Sequence, residues 1–364
     1  MTIDWLEDAV QRVTLKTIAE RAGVSRMTVS NAFSRPELLT DQLLSRVLAV
    51  ADELGYVGPD PAARALARGT TGAVGLLLTD SLSEAFGDAV ATTFLASVAE
   101  SLTASGLSLT LLTPGGGPHG VVPARDVAVD GVLVYVCATD SSDVAWAKRR
   151  RLPMVGIDRE PVEGFAHVNV DDRGGARAAA EHLVDLGHRQ VGIMALRKDA
   201  SPGILDDPLA ARFVYSAQQR LLGWHDALSA AGITPTVVGA PFEEGAAHDA
   251  ATMLLRAAER PTAILCYADL FARATVRAAR QLGLGVPDDV SVVGFDDSPL
   301  ALDVDPPITT VRQDIAVKGT TAVAALTAQL AARRDGTPAP APEHVVLPTE
   351  LVVRASTAPP GARA

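Results

Sequence analysis

Two cysteines in 364 residues leave no basis for a disulfide framework or for the paired thiolates of a structural zinc site. Cys137 and Cys266 both sit inside apolar runs, VLVYVCA and AILCYA, and read as buried free thiols. Long hydrophobic runs are also missing. No stretch of 18 or more apolar residues occurs, so no membrane span is expected. The N-terminal MTIDWLEDAVQRVT carries acids where a signal peptide needs a positive region and an apolar core, so a cytoplasmic protein is expected. Seven histidines are scattered without clustering, and His182 and His188 flank a helix end, so neither a metal nor a cofactor is expected. There is no GxSxG elbow, P-loop or HExxH. The glycine-rich GGGPHG at 115–120 lacks the helix-opening Lys-Ser/Thr of a phosphate cradle and reads as a flexible loop. With no nucleophile or cofactor motif, an enzyme is not expected. Asp296-Asp297, at the end of an apolar run, reads as a ligand-binding pair, because strand C-termini are where α/β sheets bind ligands.

Aromatics are scarce at 4%, but 48% of the residues are hydrophobic, enough for a large core spread over two or three domains. The net charge of −11 argues against a polyanionic partner until its distribution is considered. From Val13 to Arg68 seven basic residues face six acidic ones, a balance of +1, so the acidity lies elsewhere. A single copy of that segment still has a weak electrostatic footprint and is expected to bind DNA poorly alone.

That first segment is helical. Leu15, Ile18, Ala19 and Ala22 follow the stripe of an amphipathic helix, and Gly23 stops it. Ser25 stands where an N-cap belongs, and Val29 and Phe33 give a second helix its buried face. Leu44, Val47, Leu48, Ala51 and Leu54 mark a third helix, closed by Gly55. Two helices joined by a bare Gly-Val-Ser predict a helix-turn-helix unit. Next, YVGPDPAARALARGTTG combines linker residues with the helix-prone AARALAR, which is too short to stay helical alone in water. It reads as a conditional hinge. From Ala73 onward, apolar runs (AVGLLLTD, LSLTLLT, GVLVYV, PMVGID, QVGIMAL, TAILCYAD, VSVVGFDD) alternate with helical stretches, the pattern of parallel sheets covered on both faces. Two such sheets are expected, with HVVLPTELVVRAS as a last strand pair.

The second helix of the first segment is the chemically specific feature. It turns Arg26, Met27 and Asn31 outward, with Thr28 and Ser30 beside them and no acid among them. Arginine pairs bidentately with guanine, asparagine with adenine, and hydroxyls suit phosphates. Solvation alone explains an exposed methionine poorly.

The whole of VTLKTIAERAGVSRMTVSNAFSRPELLTDQLLSRVLAVADELGYVGPDPAARALARG resembles the headpiece and hinge of the LacI-type transcription factors, the family of the lactose and galactose repressors. The likeness continues in order through GAVGLLL, VDGVLV, VNVDDRGGARAAAEHLVDLGHRQVGIM, QQRLLGWHDAL, PTAILCYADL, LGLGVPDDVSVVGFDDSPLA, PPITTVRQD and ELVVRAST. It implies an all-α helix-turn-helix headpiece plus an α/β two-lobed core, like that of periplasmic binding proteins, with two Rossmann-like parallel sheets. The expected boundaries are a headpiece at 13–58, a hinge at 59–71 and a core at 72–358. The core divides into an N-lobe (about 72–165 and 314–337) and a C-lobe (about 166–312 and 342–358). The resemblance further implies a homodimer, without the tail that builds tetramers, reading a palindromic double-stranded operator under the control of a small effector, a sugar or glycoside.

The resemblance assigns base reading to Arg26, Met27 and Asn31, and backbone contacts to Thr14, Ser25, Thr28 and Ser30. It places Ala63, Arg64 and Leu66 in the minor groove, with Leu66 as the wedge. In the cleft it implies Asp296 as the acid that anchors the effector and Arg220 as the arginine that grips it. Asp158, Phe242 and Phe86 fall where the family places an acid and stacking aromatics. A structural ion pair for Arg220 and Asp296, and core packing for the aromatics, are the competing readings. Three features depart from the family: Ala268 where many sugar-binding members have Asn, a long loop at 199–215, and a shortened region at 114–131. The alternative function is a solute-binding protein of a transport system, against which the headpiece and hinge stand.

Overall fold

The computed structural model describes residues 13–58, 60–78, 82–113, 122–135, 141–197, 201–211 and 213–361. Cys137 and the GGGPHG segment fall outside them. The chain divides into two units, Met1–Thr71 and Gly72–Ala364.

In the first unit, α1 (Leu15–Ala22) opens with a capping box between Thr14 and Thr17 and ends at Gly23, whose φ of 66° only glycine adopts cheaply. Ser25 caps α2 (Arg26–Ser34) by accepting the Thr28 N–H at 3.0 Å. A single 3-10 turn (Pro36–Leu38) leads to Thr40, which caps α3 (Asp41–Glu53). Ile18, Val29 and Val47 are fully buried where the three helices meet, and each such side chain is worth about 1.5–3 kcal/mol of burial. Phe33 closes the edge against Tyr56 in a T-shaped contact at 5.4 Å. Leu48 keeps the helical spacing but is 41% exposed, so it does not belong to the buried stripe. The segment AARALAR lies in a helix, α4 (Pro61–Arg68).

The second unit begins with β1 (Ala73–Leu78), α5 (Leu82–Gly87), α6 (Ala89–Ala104), β2 (Ser108–Leu112), α7 (Pro123–Asp126), β3 (Gly131–Tyr135), α8 (Ser142–Arg149), β4 (Met154–Ile157) and β5 (Ala166–Val170). The chain then crosses at Asp171 to a second layer. This runs α9 (Asp172–Asp185), β6 (Val191–Leu196), β7 (Gly203–Ile204), α10 (Tyr215–Ala230), β8 (Thr236–Ala240), α11 (Glu244–Leu255), β9 (Ala263–Cys266), α12 (Asp269–Gln281), β10 (Ser291–Asp296) and β11 (Thr309–Gln313). It returns through α13 (Ile315–Asp335) and ends with β12 (His344–Leu347) and β13 (Thr349–Val352).

The six-stranded sheet is ordered β12-β5-β4-β3-β1-β2 and the seven-stranded sheet β13-β11-β10-β9-β6-β8-β7. With the edge strands β12, β7 and β13 set aside, each has the doubly wound order 2-1-3-4-5, so the core is the same layered unit built twice. The register moves two expected boundaries. β5 pairs in parallel with β4 on one side and β12 on the other, which places 166–170 and 344–347 in the first lobe. β12 and β13 are therefore not a pair: β13 runs antiparallel to β11 in the other sheet. The 199–215 segment is not all loop either, because Gly203 and Ile204 add an antiparallel edge to β8. In the shortened 114–131 region, the described residues hold the four-residue α7 and then Gly131, where β3 opens.

Among the described residues, α13 is long and apolar enough by composition to cross a membrane, although no strict run of 18 apolar residues exists. Ala322, Val323 and Leu326 nevertheless pack into the first lobe's core with Phe94 and Val98 of α6. Its apolar face is thus used inside the fold. Cys266 is the buried free thiol expected, and burial pushes its pKa up to about 12.

Candidate functional site

On α2, Arg26 and Met27 are exposed, Met27 by 70%, and Arg26 makes no ion pair with a described residue. Asn31 lies one turn further along, half-buried, while Val29 and Ala32 turn inward. The two helix starts carry the hydroxyls: Thr14 and Ser25 are exposed, and the Ser25 and Thr28 hydroxyls stand 2.9 Å apart. Ser30 is half-buried. Helix N-termini with free N–H groups and hydroxyls attract phosphate oxygens, and the outward arginine and amide match base edges. On α4, Leu66 is 86% exposed and Arg64 is exposed on the same short helix. Ala63 lies between them and the helix start, inside α4.

In the core, the chemistry gathers where the C-terminal ends of the two sheets face each other. Asp158 follows β4 and Asp296 ends β10. Both have a positive φ, 51° and 105°, a backbone region that costs a non-glycine residue of order 1–3 kcal/mol. Each lies two residues beyond a glycine that allows close approach. A Cβ at Gly156 would meet His167 Nδ1 at 2.5 Å, and one at Gly294 would meet Asp269 Oδ1 at 2.3 Å.

Arg220 of α10 donates from Nε to Asp172 Oδ1 at 2.8 Å, and its Nη1 lies 3.2 Å from Asp296 Oδ1. The same Nη1 donates to the Tyr267 carbonyl at 2.6 Å, and the guanidinium carbon lies 3.6 Å from the Phe295 ring centroid. Burial pushes the Asp296 carboxyl up to about 8, against the pull of Arg220. It also raises Asp172 and pushes Tyr267 up to about 12. Tyr135, at the end of β3, is raised well above its usual value by burial and then by the charges of Asp158, Asp88 and Asp296. Acids and phenols of the two lobes therefore lie within electrostatic reach of one another.

Phe242 is 37% exposed and borders this face, with ring centroids 6.3 Å from Tyr267 and 6.0 Å from Phe271. Phe86, at the end of α5, is exposed and stacks on no described ring. Sequence reasoning missed Asp172, Gln313 and Lys318. Lys318 Nζ donates to Asp158 Oδ2 and to Gln313 Oε1, both at 2.6 Å, and Gln313 Nε2 donates to Asp296 Oδ1 at 2.7 Å. The signal was present in VRQDIAVK, where the lone lysine interrupts an apolar helix. Ala268 is buried at the N-cap of α12, where it offers no side-chain bond. No group of three or more possible metal ligands occurs among the described residues.

Residues 14–58 match the family model of bacterial regulatory proteins, lacI family, and residues 180–357 match the periplasmic binding protein-like domain. The HTH-type transcriptional regulator Rv3575c of Mycobacterium tuberculosis is 36% identical over 364 residues, covering 96% of this chain and 98% of that protein. The chain belongs to the LacI family. The lac repressor dimer bound to operator and the anti-inducer ONPF superposes with a TM-score of 0.76 at 27% identity, over 95% of this chain and 99% of that one. The complex of the transcriptional regulator CelR with cellobiose gives 0.68 at 28% identity, over 95% and 100%. As a LacI-family member the chain is a DNA-binding transcriptional regulator with a helix-turn-helix domain and a two-lobed α/β core. Its relatives are regulators rather than enzymes.

Proposed function

We propose that the protein is a cytoplasmic repressor that binds a palindromic operator as a homodimer and changes its operator affinity when a sugar or glycoside occupies the face between its lobes. The observation that carries this reading is the exposed Arg26, without an ion pair among the described residues, beside a 70% exposed Met27, on a helix capped by Ser25 and buried along its apolar inner face. Two such headpieces add their phosphate contacts, which offsets the near-neutral charge of each one. Arg26, Met27 and Asn31 read base edges, Thr14, Ser25, Thr28 and Ser30 meet the backbone, and Ala63, Arg64 and Leu66 enter the minor groove.

Effector binding is supported by buried acids at both strand ends, an arginine between two of them and an aromatic rim at Phe242. Hydroxyl donors suit Asp296 and Asp158, and the apolar face of a sugar ring suits Phe242. Phe86 is proposed to close over the ligand from the other lobe. The solved relatives carry cellobiose in one case and an operator with ONPF in the other. A solute-binding protein would need the same core but has no use for α1 to α4.

Selection of binding sites from random duplex DNA with the full chain tests the first half of the proposal. A palindromic consensus is expected, and a pool without any enriched sequence would refute it. A thermal-shift screen against sugars, glycosides and nucleobases tests the second half, since a ligand raises the melting temperature by mass action.

A further inference from the structure

The side chains around the interlobe face form one continuous buried chain: Asp172, Arg220, Asp296, Gln313, Lys318, Asp158. All six are at most 7% exposed. Asp172, Arg220, Asp296 and Gln313 belong to elements of the second lobe, whereas Asp158 follows a strand of the first and Lys318 lies on α13, packed against the first. We propose that Lys318 is a positioning residue that sets the angle between the lobes and the aim of Asp296 together.

Three features of the geometry lead there. First, the bond between Lys318 and Gln313 spans the second crossing of the chain, where Asp314 caps α13. The other bonds of the chain each join residues within one lobe, so a rotation of the lobes about this crossing must be felt at that bond. Second, the amide of Gln313 has its orientation fixed. An ammonium can only donate, so Oε1 must face Lys318, and Nε2 is left to hold Asp296. Third, the lysine is not needed for filling space. An apolar side chain of similar volume often serves a buried site at equal or better stability, because desolvating an ammonium is costly. Lys318 instead holds and orients the Asp158 side chain, while among the described residues Asp158 Oδ1 and Asp172 Oδ2 have no hydrogen-bond partner. The other two crossings are tied to each other by the Asp171 N–H to the Leu347 carbonyl at 2.8 Å and by the Thr349 hydroxyl to the Asp171 carbonyl at 3.1 Å, whereas the second is bridged by the Lys318–Gln313 bond.

The bearing of this relay on regulation rests on the effector reading above. Its test does not, so the two can fail separately. Cysteines at Thr103 of α6 and Met253 of α11, both exposed, are spin-labelled in a Cys137→Ala background, and labelled full-length chain is diluted with unlabelled chain. Electron–electron resonance then reads the distance between lobes without any ligand. Lys318→Met and Gln313→Leu are each expected to displace or broaden the wild-type distribution. The double variant Asp158→Asn, Lys318→Met leaves no unpaired charge. It is expected to recover the melting temperature lost in Lys318→Met while keeping the altered distance. A wild-type distribution in Gln313→Leu and in the double variant would overturn the proposal and leave Lys318 a structural counter-ion.

Discussion

Arg220 stands between two carboxylates, 2.8 Å from Asp172 and 3.2 Å from Asp296, with almost no solvent to screen any of them. Removing one partner of a buried ionic group costs about 3–5 kcal/mol because the remaining charge stays desolvated. Arg220→Ala is therefore expected to destabilise the core by that order, read as a shift in the denaturation midpoint. An unchanged midpoint would mean that water already screens the site.

Asp296→Asn keeps the shape and the bond from Gln313 but removes the acid. Once a ligand has been found by thermal shift, this variant is expected to lose the ligand's influence on operator binding while its ligand-free operator affinity stays near wild type. Fluorescence anisotropy on labelled operator with increasing ligand measures both. A wild-type response would displace Asp296 from the effector site.

Arg26→Ala is expected to cost about 1–3 kcal/mol on the selected operator and to relax preference at one base-pair position. Lys16→Ala is the control: Lys16 is exposed and faces Glu20 at 3.7 Å, so its loss is expected to leave the sequence preference unchanged. Identical selected motifs for wild type and Arg26→Ala would exclude base reading by Arg26.

Leu66→Gly removes the exposed apolar side chain of α4 and weakens the helix itself. Operator binding and bend angle are both expected to fall, since unstacking a base step costs a few kcal/mol that only the wedge and its contacts offset. A gel-based bend assay checks it. Wild-type bending with wild-type affinity would reduce α4 to a tether.

His167 supplies a pH dependence. Its Nε2 accepts the Val162 N–H at 2.9 Å, and burial, with the charge of Arg159 behind it, lowers its pKa to about 4. In an unfolded chain the ring titrates near 6.5. Between these values the unfolded chain binds more protons, so this contribution is full above about pH 6.5 and is lost as the pH falls towards 4. Asp269, near 6, and Asp296, near 8, have raised values and act with the opposite sign. The measurement is therefore the difference between wild type and His167→Gln. That difference is expected to change by roughly 2–3 kcal/mol between pH 7 and pH 4.5. A pH-independent difference would show that the ring titrates freely in the folded state.

Much of the first unit was legible because helix ends are decided locally. Gly23 and Ser25 do in the structure what their types and places predict, and Thr14 and Thr40 cap the other two helices in the same local way. Leu48 shows the limit: spacing names a face of a helix but not how far the neighbouring helices cover it. In the core, the apolar runs marked most central strands, and Asp296 at the end of β10 stood out as a strand-end group, whereas Asp158 after β4 was named only through the family resemblance. Lobe membership of β5 and β12 was not legible, because pairing between residues such as His167 and His344 depends on where the chain returns. Lys318 stayed hidden for a similar reason. A lone lysine near a helix start reads as solvated until the acid it meets, 160 residues earlier, is placed beside it.

The last two strands have a consequence for how the molecule is made. β12 completes one sheet and β13 the other, with Pro348 alone between them. During synthesis neither lobe can finish its sheet until its own strand of these two has left the ribosome. Contacts of such long sequence separation form slowly. Both lobes therefore wait, with the edges of β5 and β11 open, for the same nine residues, 344–352, and close nearly together.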